Sequence, residues 1–233
     1  MQNSVFLVNA FQFVIFTSVF IISNYINWLI LKRDSKNLLN RLFTTGIFII
    51  SIGSLISALG LIPSVLEQQN WQSMLQLSFV VYLNCLIIGL SILLASYNVL
   101  IHGQAGIGIK FLLMMIVPIS SSLLISVLYY DDFEAGSELG DIVMSGYANL
   151  LLLIVGLLLV LTFSFYYNVY RITKLRQARQ FTLGLLVALI AAVTSVVSNI
   201  IEARILDSIS MVFIILAFIV IYTGFKPQED INK

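Results

Sequence analysis

Chemistry in this chain would have to be done with very few groups. It has one histidine, His102, and one cysteine, Cys85. A metal centre in a membrane needs a cluster of His, Cys or carboxylate ligands, and membrane haem needs facing axial ligands. His102 stands alone in a short connection and Cys85 alone in an apolar run, so neither a metal nor another cofactor is expected. A retinal protein would need a Schiff-base lysine in its last span, yet residues 208–225 contain none and Lys226 lies beyond them. There is no Walker loop, nucleophile elbow or pair of carboxylates in the apolar runs. An enzyme is therefore not expected, nor a nucleic-acid partner.

What remains is polar but mostly uncharged. Ala188, Ala191, Ser195, Ser198, Asn199 and Glu202 recur at helical spacing on one face. Asn84, Ser91 and Asn98 recur every seven residues, Gly46, Gly53, Ser57 and Gly60 share a side, and Asn9 and Gln12 lie near the N-terminus. The plain reading is packing: small residues let helices approach, and each interhelical hydrogen bond is worth roughly 0.6–2 kcal/mol. The functional reading is a small outward-opening cavity lined by Asn9, Gln12, Asn84, Asn199 and Glu202, holding a small-molecule ligand of unknown identity. Glu202 itself reads first as a wetted charge or a surface pair with Arg204, worth little.

Two charged runs flank the apolar ones. Asp131, Asp132, Glu134, Glu138 and Asp141 crowd one loop without the ligand spacing of an EF-hand, so a solvated loop is expected. Arg171, Lys174, Arg176 and Arg179 crowd another. They are expected to orient the chain and to meet anionic membrane lipid, at about 1 kcal/mol per basic residue, or a cytoplasmic or membrane protein partner.

The elements that must carry these residues follow from composition. The chain is 60% hydrophobic and only 10% charged, whereas soluble domains carry about 25% charge; so few charges could not cover a soluble surface. A membrane helix needs roughly 20 apolar residues, and seven such spans are expected, at 5–31, 43–62, 71–100, 109–130, 145–170, 181–201 and 208–225. Pro63 is expected to end the second and Pro118 to kink the fourth. The fold class is thus all-α, one transmembrane domain of residues 1–233. The N-terminus carries no positive region and no small-residue cleavage site, so the first span reads as retained.

Charge then orients the spans. Eleven Lys and Arg residues fall after spans one, three, five and seven, and only Arg204 on the other side, which holds eight carboxylates. The positive-inside rule puts the basic side in the cytoplasm and the N-terminus outside. Trp28, Trp71, Tyr129, Tyr130, Tyr166, Tyr167, Tyr170 and Tyr222 fall near the expected interfaces, as an aromatic belt would.

An internal echo links two of the spans. Arg41-Leu42-Phe43-Thr44-Thr45-Gly46 opens span two, and Arg179-Gln180-Phe181-Thr182-Leu183-Gly184 opens span six, with Ser57 and Ser195 at the same offset. It suits two three-helix units around a central fourth helix, an arrangement used by carriers, although helices entering from basic loops also tend to look alike.

With its outside N-terminus, basic Lys32-Arg33 loop, outer loop closing at Trp71, and Arg-rich entry from Arg176 to Gly184, the chain resembles the seven-helix sensor region found N-terminal to some bacterial and archaeal histidine kinases. That resemblance implies a bundle that senses a ligand or a membrane state and signals to a cytoplasmic output. Pro227 departs from it, because proline breaks a helix running on into the cytoplasm. The output is therefore expected in a separate protein, unless this chain is a piece of a longer sensor. A non-enzymatic, receptor-like subunit of a prokaryotic cytoplasmic membrane leads. A small neutral-solute carrier of three plus one plus three helices and an accessory subunit of a larger complex are the alternatives.

Overall fold

The computed structural model describes residues 2–65, 71–135, 142–144, 146–201 and 204–225. They form seven helices: α1 (Gln2–Arg33), α2 (Leu38–Val65), α3 (Trp71–His102), α4 (Ile109–Leu128), α5 (Asn149–Thr173), α6 (Arg176–Ile201) and α7 (Arg204–Phe225). Helix is the expected answer for such sequences, because a backbone in hydrocarbon must satisfy its hydrogen bonds internally. Six are long and apolar enough to cross a membrane, and α7 adds the shorter apolar stretch Val212–Gly224. The outer surface suits that solvent: Ile109 and Val127 on α4 are each 77% exposed, a liability in water but not in lipid. The chain is an integral, multi-pass helical membrane protein.

Helix bounds depart from the expected spans where the chain leaves hydrocarbon. The starts of α2 at Leu38 and α6 at Arg176 lie ahead of the spans drawn from 43 and 181, because hydropathy registers only the apolar part of a helix that begins in the interface. The connection before α2 is built for this. Asp34 Oδ1 accepts the N–H groups of Lys36 and Asn37, and Asn37 Oδ1 accepts those of Leu39 and Asn40, capping the helix start. Pro63 does not end α2, which runs to Val65, and α4 runs unbroken through Pro118.

Consecutive helices pack as neighbours. α1 lies on α2, α2 on α3, α5 on α6 and α6 on α7, while α7 returns to α1 and α3 meets α4 and α5. Glycines set the closest of these approaches. A Cβ on Gly46 would stand 3.0 Å from Gly89 O, and one on Gly53 2.6 Å from Cys85 Cβ; Gly60 abuts Ser78. Along α6, Gly184 sits 2.9 Å by the same measure from Ala217 O of α7. Small residues thus draw α2 to α3 and α6 to α7, as the packing reading of span two expected.

The loop of carboxylates is not wholly a solvated coil. Its arms form a short antiparallel hairpin, β1 (Phe133–Ala135) with β2 (Ile142–Met144), pairing Phe133 with Met144. Phe133 is fully buried in the main core, and β1 rests on α3, so the loop is pinned to the bundle by one aromatic anchor. Glu138 and Asp141 lie outside the described residues.

Candidate functional site

The polar face expected on α3 is turned to α4. Asn84 Nδ2 donates to Ser126 Oγ at 2.7 Å and Asn98 Nδ2 to Met114 Sδ at 3.2 Å. Ser91, between them, donates to Ile87 O within its own helix. Asn84 and Asn98 act as interhelical ties, although Asn84 Oδ1 is buried without a partner among the described residues. Gln12 is half-buried on α1, and among the described residues no hydrogen bond joins it to Asn84. Asn9 lies in α1 and Asn199 in α6, but their side chains, like Glu202, lie outside the described residues.

A different feature stands at the opposite, basic end. Residues near the ends of α1, α3 and α5 and the starts of α2 and α6 line a half-open cavity of about 140 Å³. Its walls are mostly apolar: Ile30, Leu39, Leu100, Val169, and the rings of Phe43, Tyr166 and Phe181. Half-buried Asn40 and Gln177 add two carboxamides. The three rings touch one another edge to face. Their centroids are 5.6 Å apart for Phe43–Tyr166, 5.0 Å for Phe43–Phe181 and 4.7 Å for Tyr166–Phe181. Each such pair is worth roughly 0.5–1.5 kcal/mol beyond burial.

Hydrogen bonds hold the Tyr166 ring from outside the bowl. The Tyr166 hydroxyl donates to Leu93 O at 3.2 Å and shares a 2.7 Å hydrogen bond with Ser96 Oγ, tying α5 to α3. Phe43 and Phe181 are the two aromatic residues of the internal echo, and they meet here. Their neighbours behave alike. Thr44 and Thr182 are both buried and both donate to the carbonyl four residues back, Asn40 O and Ala178 O. Gly46 and Gly184, each three residues after its Phe, are close-approach points to α3 and α7. The echo therefore marks equivalent positions in two helix pairs.

The rim is cationic. Asn40 is followed by Arg41, and the lining residues Leu175, Gln177 and Ala178 alternate with Lys174, Arg176 and Arg179. The turn between α5 and α6 is only two residues long. Lys174 takes the left-handed conformation at φ 54°, and its N–H reaches Tyr170 O at 2.8 Å. Arg176 Nη2 donates to Thr223 O of α7 at 3.0 Å, and Arg41 Nε to Ser35 O at 2.8 Å. Carbonyl partners fix these guanidinium groups without neutralising them. Across both basic connections, eight cations (Lys32, Arg33, Lys36, Arg41, Arg171, Lys174, Arg176 and Arg179) face one carboxylate, Asp34. The sequence reading of residues 171–179 thus falls on the lip of a cavity it did not foresee. The signal available was the pair Phe43 and Phe181 at matching offsets.

Fold and site define a helical membrane protein with an aromatic bowl at its basic end. Compared with known proteins, the chain matches no family model and no curated protein sequence.

Proposed function

We propose that this chain is a seven-span, non-enzymatic, receptor-like subunit of a prokaryotic cytoplasmic membrane, with its N-terminus outside, that acts through a separate protein at its basic cytoplasmic face. The observation that carries this reading is where the bowl lies. It opens at the end of the bundle with the most positive charge, and five helices contribute to its wall. A contact made there touches both three-helix units at once, so any shift of one unit against the other changes the shape offered to a partner. Coupling of this kind requires the partner to bind one arrangement better than the other.

The test is charge reversal of Arg171, Lys174, Arg176 and Arg179 to Glu in the full chain. Native mass spectrometry of protein gently extracted from its own membrane should show a stoichiometric second protein with the parent chain and none with the variant. Circular dichroism should show the same helix content and melting for both. Retention of the partner by the folded variant would sink the proposal, as would the absence of a partner from the parent.

A further inference from the structure

We infer that the bowl takes a single aromatic side chain of an acidic protein segment, which is the form of contact the partner of the proposed receptor-like subunit would make. The inference rests on that reading for its partner and on three observations for its chemistry.

The first is size. A dry apolar cavity of about 150 Å³ binds one benzene ring, and this one is about 140 Å³. It suits a phenyl group. The second is the wall. Phe43, Tyr166 and Phe181 are mutually edge to face, and a guest ring would extend the same packing. The third is the rim. Arg41 beside Asn40, and Lys174, Arg176 and Arg179 beside Leu175, Gln177 and Ala178, favour an anionic neighbourhood on the incoming segment. Asn40 Nδ2 already donates to Asp34 O at 2.9 Å, which leaves Asn40 Oδ1 and the Gln177 carboxamide to meet a peptide backbone.

Five helices line the bowl at the basic end of the bundle. Membrane lipid can neutralise the outer arginines, but an aromatic anchor flanked by acids satisfies floor and rim together. Interfaces of this kind concentrate their affinity in one buried aromatic residue.

The probe is an acetylated, amidated peptide Asp-Glu-Phe-Asp-Glu carrying 4-fluorophenylalanine. It is titrated against the full chain in phosphatidylcholine nanodiscs and read by fluorine NMR. The expected result is saturable binding with a shifted fluorine signal. An unlabelled competitor peptide should displace the probe roughly tenfold less effectively, or worse, when its Phe is replaced by Ala, and probe affinity should fall several-fold between about 50 and 200 mM salt. Ala178→Phe, which fills the bowl from inside, should abolish the shifted signal; the Phe-to-Ala change in the competitor makes the same comparison on the parent chain, with no risk to folding.

Equal binding of the Phe and Ala peptides would overturn the inference, leaving charge alone. Binding that appears only after residues 227–233 are removed would assign the bowl to the chain's own tail and overturn it too. Failure here differs from failure of the receptor reading: a partner that stays bound to the folded Ala178→Phe variant, but leaves on charge reversal, contradicts only the aromatic anchor.

Discussion

Tyr166 does two jobs with two parts of one side chain. Its ring helps floor the bowl, and its hydroxyl reaches Leu93 O and Ser96 Oγ on α3. Tyr166→Phe separates them. The variant should lose about 1 kcal/mol of stability, the scale of an interhelical hydrogen bond in a membrane, and keep its affinity for the aromatic probe. Thermal denaturation in detergent measures the first; an unchanged melt would mean that the hydroxyl bonds contribute nothing net. Composition alone places this tyrosine in an interfacial belt, yet it is 3% exposed. Hydropathy cannot tell a tyrosine facing lipid headgroups from one turned inward, because both stand near a helix end. Asn84 was legible as packing material, since Asn at heptad spacing between apolar residues needs a polar partner, and Ser126 supplies it. Asn27 was not legible. It is 6% exposed, and neither its Nδ2 nor its Oδ1 has a partner among the described residues. An unpaired buried amide costs roughly 1–3 kcal/mol, and Ser23 Oγ, one turn away, is likewise unsatisfied.

Among the elements, the glycines of α2 carry a sharper consequence than the one glycine of α5. A Cβ at Gly53 would crowd Cys85 Cβ at 2.6 Å, whereas one at Gly156 would meet nothing within 4 Å. Gly53→Ala must push α2 from α3 and should cost about 1–3 kcal/mol. Gly156→Ala should be neutral or stabilise by up to about 1 kcal/mol through helix propensity. Melting temperatures of the two variants in the same detergent check this; equal shifts would mean that α2 and α3 do not pack as described. The glycine stripe could be read from the sequence because its spacing keeps one helix face. The hairpin around Phe133 could not. Its strands are three residues long, too short for a periodic signal, and the acidic residues beside them argue for solvent.

At the scale of the molecule, the helices were readable because hydrocarbon leaves a spanning segment so few choices. The bowl was not, since its wall comes from five helices that only the tertiary arrangement brings together. The internal echo lies between these cases. Matching Arg-x-Phe-Thr-x-Gly entries are visible in the sequence, but their meaning depends on Phe43 and Phe181 meeting at 5.0 Å.

That meeting bears on how the chain can be divided. The main contacts of α4 are with α3 and α5, and it turns most of its surface to lipid. The seam between α1–α3 and α5–α7 runs instead through Ser96–Tyr166, Phe43–Phe181 and the packing of α1 on α7. A backbone cut between Ile107 and Gly108, in the exposed connection before α4, severs none of these contacts. Residues 1–107 and 108–233 made as two polypeptides in one cell should therefore find each other and co-purify as a one-to-one complex. Phe43→Asp in the first piece should prevent it, and pieces that purify apart with Phe43 intact would refute the seam.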